Sequence, residues 1–337
     1  MEPNEHDETL EHRLHELQAR LNGVEQSIRS AFLGQEEAVE LLLACLIADG
    51  HALIEGAPGL GKTTLVRALS DSMALSYRRI QFTPDLMPGD ILGTRILEKT
   101  PEGDHAFRFE RGPVFANVLL ADEINRATPR TQSAMLEAMQ ERQVTTFGET
   151  LRLDEPFLVI ATQNPIEMEG TYPLPEAQVD RFLCKIELDA PSEDELFAIL
   201  RSGDAGSSGA ARSELARAEL LELRGHCRRI EASDNVLRAI VGVVARTDPA
   251  HPEAPEIVRQ NLRYGASPRG AQAVLALGRA RALLHARPWL GEDDLEVVLA
   301  PALRHRLVFS YEGEASGVSA DEIVAAVWQR VRGSLES

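Results

Sequence analysis

A single glycine-rich motif, G-x-x-x-x-G-K-T, constrains the fold of this chain more than any other feature of its sequence. It occupies residues 56–63, with Lys62 and Thr63 at its end. In this pattern glycines let backbone N–H groups close around phosphate oxygens, the lysine reaches the outer phosphates, and the threonine offers a hydroxyl to Mg²⁺. An apolar strand pattern (His51 to Glu55) precedes the motif and an apolar helix (Thr63 to Met73) follows it, so a helix dipole also favours an anion here. The sequence therefore predicts a nucleotide phosphate site rather than a plain glycine turn.

The rest of the first half alternates short apolar runs with helical patterns. Three further strands are predicted at Tyr77 to Phe82, Val118 to Ala121 and Phe157 to Thr162, and Arg130 to Glu141 has a helical apolar face. Such alternation is typical of a parallel sheet covered by helices on both faces. After Pro191 only helical patterns remain, so we expect an α/β domain followed by a smaller all-helical domain.

The chain is thus divided into three parts. Residues 1–30 are expected to form an N-terminal helix, residues 31–190 the α/β nucleotide-binding domain, and residues 191–337 the helical domain. The apolar residues of 8–30 recur at steps of three and four, which fits a helix packed on its own domain or, alternatively, a coiled-coil seam. The run 202–209, rich in glycine and serine, predicts a flexible loop.

Polar side chains follow two of the predicted strands. Asp122 and Glu123 end an apolar strand about sixty residues after the glycine loop. In P-loop enzymes the first acid holds the Mg²⁺ shell, here together with Thr63, and the second orients or deprotonates the attacking water. Asn164 ends the next strand and is a candidate to hold that water or the terminal phosphate, although Asn-Pro also starts turns well. The residues expected to contact the nucleotide directly are Gly56, Ala57, Pro58, Gly59, Leu60, Gly61, Lys62, Thr63, Thr64 and Asp122.

Two arginines are further candidates, each with a structural alternative. Arg181, in Asp180-Arg181-Phe182, could belong to a surface salt bridge. Arg269 lies in the first turn of a predicted helix with Ser267 as its N-cap, where a cation opposes the helix dipole. That placement suggests that an anionic ligand compensates for it.

Beyond these residues, the chain resembles the AAA+ ATPases, and specifically the MoxR family, from about Ile28 to Trp328. The motifs that carry the resemblance are Phe32-Leu33-Gly34-Gln35, Gln81-Phe82-Thr83-Pro84-Asp85, Gly112-Pro113-Val114-Phe115, Ala121-Asp122-Glu123-Ile124-Asn125-Arg126-Ala127, Ala161-Thr162-Gln163-Asn164-Pro165, Leu174-Pro175-Glu176-Ala177-Gln178, Gly265-Ala266-Ser267-Pro268-Arg269 and Leu303-Arg304-His305-Arg306-Leu307. The resemblance implies an α/β AAA+ P-loop NTPase fold, a parallel sheet flanked by helices and followed by a helical lid domain. It also implies ATP and Mg²⁺ as cofactors and a homo-oligomer, a hexameric ring.

The resemblance further implies roles for individual residues. Asn164 takes the sensor 1 position, Arg269 the sensor 2 position, and Arg181 that of an arginine finger that reaches a neighbouring subunit's ATP. Leu33 and Gly34 would lie beside the adenine. The expected activity is ATP hydrolysis that drives chaperone-like remodelling, or metal-cofactor maturation, of a protein client with a von Willebrand factor A domain.

Charge and hairpin patterns bear on the kind of partner. The formal net charge is −18, with 53 acidic and 35 basic side chains, which disfavours a nucleic-acid partner. Two hairpins are predicted at Thr94 to Phe109 and Val144 to Leu153, and their tips carry Glu102, Asp104 and Glu149 instead of the cations that a DNA motor would place there. A protein client is therefore favoured over the alternative, an MCM-like nucleic-acid motor.

The remaining alternatives concern the nucleotide and the compartment. A non-catalytic nucleotide switch would need none of Glu123, Asn164 and Arg181, and GTP is disfavoured because no Asn-Lys-x-Asp motif occurs. No apolar run approaches the roughly 18 residues of a membrane span. The acidic start of the sequence has the pattern of neither a secretory signal nor a transit peptide, and the three scattered cysteines suit a reducing environment. We therefore expect a cytoplasmic protein.

Overall fold

The structure is a computed structural model that describes residues 5–99, 104–146, 148–164, 170–202 and 215–335. Several sequence expectations lie outside these residues. They are the loop at 203–209, the hairpin-turn residues 101–103 and Phe147, and Pro165.

The α/β region is built on one five-stranded sheet in which every pairing is parallel. Its strands are β1 (Ala52–Gly56), β2 (Tyr77–Gln81), β5 (Val118–Asp122), β8 (Leu158–Gln163) and β9 (Cys184–Leu188), in the spatial order β2-β5-β8-β1-β9. The four strands predicted from the sequence are confirmed, and β9 was missed. Because all strands run the same way, the residues that follow β1, β5 and β8 meet at one edge of the sheet, the carboxyl end. The residues that precede the strands meet at the opposite edge, the amino end.

The buried strands explain why helices cover both faces of this sheet. Along β5, Val118 and Leu120 join one hydrophobic core, whereas Leu119 and Ala121 join a second core on the other face. This division follows from the two-residue alternation of side chains in a strand. The covering helices are α2 (Glu36–Ile47), α3 (Lys62–Ser72), α4 (Pro88–Leu92), α5 (Pro129–Glu141) and α6 (Glu176–Val179).

The N-terminal helix α1 (Glu5–Ala31) packs on its own chain, as one of the two readings of its apolar stripe predicted. Leu17, Leu21, Val24 and Ile28 are all buried in the first core. Arg13 forms ion pairs with carboxylates of the lid that lie within 3.0–3.4 Å. The helix therefore contacts both the α/β region and the lid.

Both predicted hairpins are present. Strands β3 (Gly93–Lys99) and β4 (His105–Arg111) form the first, and β6 (Gln143–Thr146) and β7 (Glu149–Arg152) form the second. Arg95 of the first lies 3.6 Å from the Glu149 carboxylate of the second, which ties the two together at the surface.

The lid is helical, with one addition that the sequence did not reveal. Its helices are α7 (Glu193–Ser202), α8 (Arg217–Cys227), α9 (Asp234–Arg246), α10 (Glu256–Asn261), α11 (Pro268–Leu284), α12 (Glu292–Leu303), α13 (Tyr311–Ser316) and α14 (Ala320–Leu335). A short antiparallel pair, β10 (Leu262–Tyr264) and β11 (Val308–Phe309), accompanies them. These strands are too short to give a two-residue alternation in the sequence.

The lid is docked firmly on the α/β region. Its apolar side chains belong to the same continuous core as α1, α2 and one face of the sheet. Arg224 of α8 is buried and donates to the Leu46 carbonyl at the end of α2 over 2.9 and 3.1 Å. Burial of a cation is tolerated here because its hydrogen bonds replace those to water. Within the part of the chain that the structure describes, no helix has both the length and the apolarity needed to cross a bilayer.

Candidate nucleotide site

The glycine loop joins β1 to α3 at the carboxyl end of the sheet, as the sequence predicted. Gly59 and Gly61 have φ angles of +87° and +78°, in the left-handed region that L side chains rarely adopt. A Cβ at Gly61 would lie 2.9 Å from the Phe32 ring, so a side chain there would also displace that ring. The segment that contains Leu33 and Gly34 therefore borders the loop, where the adenine was expected.

Lys62 lies against its own loop and close to the acidic pair. Its Nζ donates to the Gly56 carbonyl over 2.6 Å. Burial lowers the pKa of the Lys62 ammonium below its ordinary value, and the nearby carboxylates of Asp122, Glu123 and Glu55 act in the opposite direction. A partly desolvated ammonium exerts a stronger field on a phosphate than one in bulk water.

Asp122 and Glu123 end β5, and the neighbouring strands hold them in place. Asp122 Oδ1 accepts a hydrogen bond of 2.6 Å from the Thr162 hydroxyl of β8, and Thr162 in turn accepts one of 2.9 Å from the Glu123 N–H. On the other side, Arg79 of β2 donates to Asp122 Oδ2 from Nη2 over 2.6 Å and from Nε over 3.1 Å. Glu123 has a φ of +56°, a strained conformation that turns its side chain out of the strand direction.

The Glu123 carboxylate also has two polar neighbours. Gln81 Nε2 donates to its Oε2 over 2.8 Å, and Arg126 Nη1 donates to the same oxygen over 2.9 Å. These contacts fix a carboxylate at the carboxyl end of the sheet, beside the phosphate loop.

The donor set fits a magnesium ion that is held mainly by nucleotide and water. Thr63 would supply a hydroxyl and Asp122 a carboxylate, both hard oxygen ligands of the kind that Mg²⁺ prefers. Within the described ranges, no group of three or more His, Cys, Asp or Glu side chains could hold a metal. Beyond these two protein oxygens, a Mg²⁺ ion at this place would need oxygen ligands from phosphates or water.

Asn164 belongs to the same end of the sheet, whereas Arg181 does not. Asn164 is buried and directly follows the carboxyl end of β8. Arg181 comes three residues before Cys184, the first residue of β9, and thus lies at the amino end. The chain crosses the whole sheet between these two residues.

Arg269 joins Arg181 at the amino end. Both residues line one cavity of about 420 Å³, together with His51, which directly precedes β1. Arg269 Nη1 lies 3.6 Å from the Asp180 carboxylate, so a side chain of the same chain, where the sequence suggested an anionic ligand, pairs with this cation at the helix N-terminus. The Ser267 hydroxyl, which caps α11, donates to the same carboxylate over 3.2 Å.

The backbone beside Arg181 is held by a buried arginine that the sequence analysis gave no role. Arg306 donates to Asp180 Oδ1 over 2.8 Å and to the Phe182 carbonyl over 2.6 Å. The Arg181 guanidinium itself hydrogen-bonds to the Gln140 amide oxygen. The lid therefore fixes the position of Arg181 on its own chain.

The structure thus separates the predicted site residues into two sets. The phosphate loop, Asp122, Glu123 and Asn164 lie at the carboxyl end, and Arg181 and Arg269 lie at the amino end. Strand β1 has five residues, so the two ends are roughly 17 Å apart. An arginine side chain reaches well under half of that distance, so Arg181 and Arg269 do not reach the phosphate loop of their own chain.

Sequence reasoning missed Arg79, Gln81, Thr162 and Arg126, which surround the acidic pair, as well as Arg306. Gln81, Thr162, Arg126 and Arg306 stood inside motifs that carried the resemblance, but no spacing rule links strand residues from β2 and β8 to an acid on β5. Only the order of strands in the sheet brings them together.

Comparisons with known proteins agree with this architecture. The family described as ATPase family associated with various cellular activities (AAA) matches residues 51–184, and the AAA lid domain matches residues 254–327. Chaperone MoxR1 of Mycobacterium tuberculosis is 42% identical over 323 residues, covering 94% of this chain and 83% of that protein. The uncharacterized protein YeaC of Bacillus subtilis is 40% identical over 309 residues, covering 91% and 92%.

A solved structure supports the fold as well. A crystal structure of a candidate ATPase from Cytophaga hutchinsonii superposes with a TM-score of 0.90 at 36% identity, covering 97% of this chain and 98% of that one. Protein MoxR of Methylorubrum extorquens is 31% identical over 325 residues, covering 91% of this chain and 93% of that protein. With these relatives and both AAA profiles on one chain, the protein belongs to the MoxR family of AAA+ ATPases.

Proposed function

We propose that this chain hydrolyses ATP with Mg²⁺ at sites shared between neighbouring subunits of a ring, and uses the cycle to remodel a protein client. The observation that carries the proposal is the separation of the phosphate loop from Arg181 and Arg269 by the length of the sheet. A nucleotide bound at one end can meet these arginines only from a second copy of the chain.

The carboxyl end supplies the first half of the chemistry. The loop N–H groups and Lys62 would hold the phosphates, and Thr63 and Asp122 would hold the Mg²⁺ shell. When bound, Mg²⁺ neutralises charge on the phosphates. Glu123 and Asn164 would position the attacking water, with Glu123 as the residue that accepts its proton.

The amino end supplies the second half. Phosphoryl transfer spreads negative charge over the equatorial oxygens, which cationic side chains from an adjacent subunit stabilise. Arg181 and Arg269 lie in one cavity and would approach the same nucleotide together. Because Asp180 and Arg306 hold this segment, the arginines would arrive already oriented.

For the assembly and the client, we propose a hexameric ring in the cytoplasm and a client with a von Willebrand factor A domain. The support is membership in a family with a relative named Chaperone MoxR1, together with the net charge of −18. An MCM-like nucleic-acid motor is the alternative, and the acidic surface counts against it.

Replacement of Glu123 by glutamine tests the proposed activity. Glu123→Gln keeps the shape of the side chain and removes its basicity, so ATP affinity should be retained while turnover falls about 10²- to 10⁴-fold. Affinity is measured by calorimetry and turnover by phosphate release. Glu137→Gln, on α5 away from the loop, is the matched control. Turnover of Glu123→Gln within a factor of two of wild type would place the base elsewhere.

A further inference from the structure

The first hairpin has one face with an unusual surface. Strands β3 and β4 pair in register, with Leu97 opposite Phe107 and Lys99 opposite His105. Since side chains alternate across a strand, these four residues lie on the same face. Leu97 is 58% exposed and Phe107 is 70% exposed, so a large apolar pair is open to solvent next to the basic side chains of Lys99 and His105.

This face continues past the hairpin to a cavity in the body of the domain. Phe109 and Arg111 follow Phe107 at two-residue steps, and the Phe109 ring meets the Phe115 ring edge to face at 6.1 Å. The Arg111 guanidinium lies 5.1 Å from the centre of the Phe115 ring. Arg111, Phe115 and Arg78 line a cavity of about 380 Å³ at the amino end of β2.

Three cations on this surface are available to a partner, whereas Arg95 on the same face pairs with Glu149. Among the residues that the structure describes, Lys99, Arg111 and Arg78 form no ion pair with a carboxylate, in a chain whose net charge is −18. The reverse face of the hairpin differs. There Arg108 pairs with Glu98 at 3.0 Å and with Glu110 at 2.9 Å, so that its charges are already satisfied.

We propose that this surface, here called the hairpin face, binds an acidic and apolar segment of a protein client. The hairpin face consists of Leu97, Lys99, His105, Phe107, Phe109, Arg111, Phe115 and Arg78. Charge complementarity selects acidic side chains, and the exposed Leu97–Phe107 pair selects aliphatic or aromatic ones. The cavity beside Arg111 and Arg78 has the charge and volume to take a carboxylate-bearing end of such a segment. The inference rests on the proposed function, since it names the partner class of the same ATPase.

The surroundings of the hairpin face favour a peptide over a nucleic acid. Asp104 lies at the hairpin tip, and Glu149 pairs with Arg95 on the same face as Leu97. A phosphate backbone that followed the hairpin would meet these carboxylates at close range, at a cost in Coulomb energy. A peptide can place apolar side chains next to them instead.

Binding of designed probes by the full-length protein tests this inference. The probes are a fluorescein-labelled peptide in which Glu and Asp alternate with Leu and Phe, a matched peptide with Lys and Arg in place of the acids, and labelled oligothymidylate. Fluorescence anisotropy should show affinity for the acidic peptide that falls as salt rises. The double substitution Leu97→Ser with Phe107→Ser should weaken it about 10- to 100-fold, because both apolar contacts are lost.

Two further variants sharpen the result. Arg111→Glu should weaken the acidic peptide about tenfold or more through like-charge repulsion. Arg108→Ala, on the reverse face, is the matched control and should leave the affinity unchanged. The four substituted side chains (Leu97, Phe107, Arg111 and Arg108) are all exposed, so a loss of affinity is not expected to come from misfolding. Circular dichroism of each variant checks that it is folded.

Each remaining outcome overturns the inference in a defined way. Tighter binding of oligothymidylate than of the acidic peptide would make the hairpin face a nucleic-acid surface. If the basic peptide bound as tightly as the acidic one, or if Arg108→Ala weakened binding as much as Arg111→Glu, charge complementarity would not explain binding at the hairpin face. Phosphate release is measured on the same preparations without peptide, so a loss of ATP hydrolysis in wild type would count against the proposed function alone.

Discussion

The two ends of the central sheet differ in what they can do for a nucleotide. At the carboxyl end the chain presents the phosphate loop, two carboxylates and buried Asn164, and the nearby cations Arg79 and Arg126 are paired with the acids. At the amino end it presents Arg181 and Arg269 beside a cavity, on a backbone that Arg306 holds in place. The carboxyl end thus has the phosphate-binding and acidic groups, and the amino end has the two arginines. Under the proposed function, one folded chain would therefore contribute two half-sites, and a second copy would complete each of them.

The largest effect is expected at the carboxyl end, from Lys62→Ala. This substitution removes the main point charge that faces the phosphates, so nucleotide affinity should fall on the order of 10²- to 10³-fold, the usual cost of truncating a desolvated charge contact. Isothermal calorimetry with ATP and Mg²⁺ measures the change. Arg330→Ala on the exposed face of α14 is the control for loss of a cation. Wild-type affinity in Lys62→Ala would mean that the phosphates bind elsewhere and that the carboxyl end of the sheet is not the nucleotide site.

A smaller effect probes how the amino end is built. His51 is buried where β1 begins, accepts a 3.0 Å hydrogen bond from the Val159 N–H at Nδ1, and lies 3.1 Å from the Met139 carbonyl at Nε2, so the ring is neutral. Burial, helped by the positive charge of Arg142, lowers its pKa to about 3. In the unfolded chain His51 becomes protonated below about pH 6.5, whereas in the folded chain it stays neutral until a much lower pH. The free energy of unfolding is therefore not reduced by His51 above about pH 6.5, and it falls progressively as the pH is lowered toward 3.

Urea unfolding at two pH values measures this contribution. Between pH 7 and pH 5 the free energy of unfolding should fall by about 2 kcal/mol from His51 alone. His51→Gln removes the titration and should make that part of the pH dependence disappear, whereas His15→Gln on the exposed side of α1 should not. An unchanged pH dependence in His51→Gln would contradict a neutral, buried His51 ring.

The smallest effect concerns Arg79 at the carboxyl end. Its guanidinium occupies Asp122 Oδ2 and repels a divalent cation at the same carboxylate, but it is 47% exposed, so solvent screens the repulsion. Arg79→Ala should therefore lower the Mg²⁺ concentration needed for half-maximal binding of a fluorescent ADP analogue by about threefold. Arg78→Ala, on the opposite face of β2, is the matched control. A higher Mg²⁺ requirement in Arg79→Ala would instead mean that this arginine positions Asp122 for the metal.

The sequence predicted much of the fold because local patterns report local structure. The glycine loop, the apolar run of β5 and the strand pairs of both hairpins each have their own signal, and all were found where predicted. Strand β9 was missed because its residues Cys184–Leu188 include Lys185, which interrupts the apolar run and pairs with Glu55 and Glu187. The pair β10–β11 was missed because two or three residues show no period.

The candidate site residues could be named one by one from the sequence, but their arrangement in space could not. Lys62, Asp122 and Asn164 could be named from motifs that follow strands. That Arg269 would lie with Arg181, and not with Lys62, depends on how the lid docks on α2, and the ion pair of Asp180 with Arg306 that fixes it joins residues 126 positions apart. Contacts of that range leave no spacing in the sequence.

Mixing two inactive variants shows whether each active site is completed by a second chain. Arg181→Ala should keep near-normal ATP affinity and lose about 10³-fold in turnover, since only the trans-acting cation is gone. Lys62→Ala should lose nucleotide binding but keep its Arg181. In mixed rings some interfaces pair an intact phosphate loop with an intact Arg181, so phosphate release should rise well above that of either parent. If both variants are shown to enter shared oligomers and the mixture stays as inactive as its parents, Arg181 acts within its own chain or only supports the fold, and the half-site account is wrong.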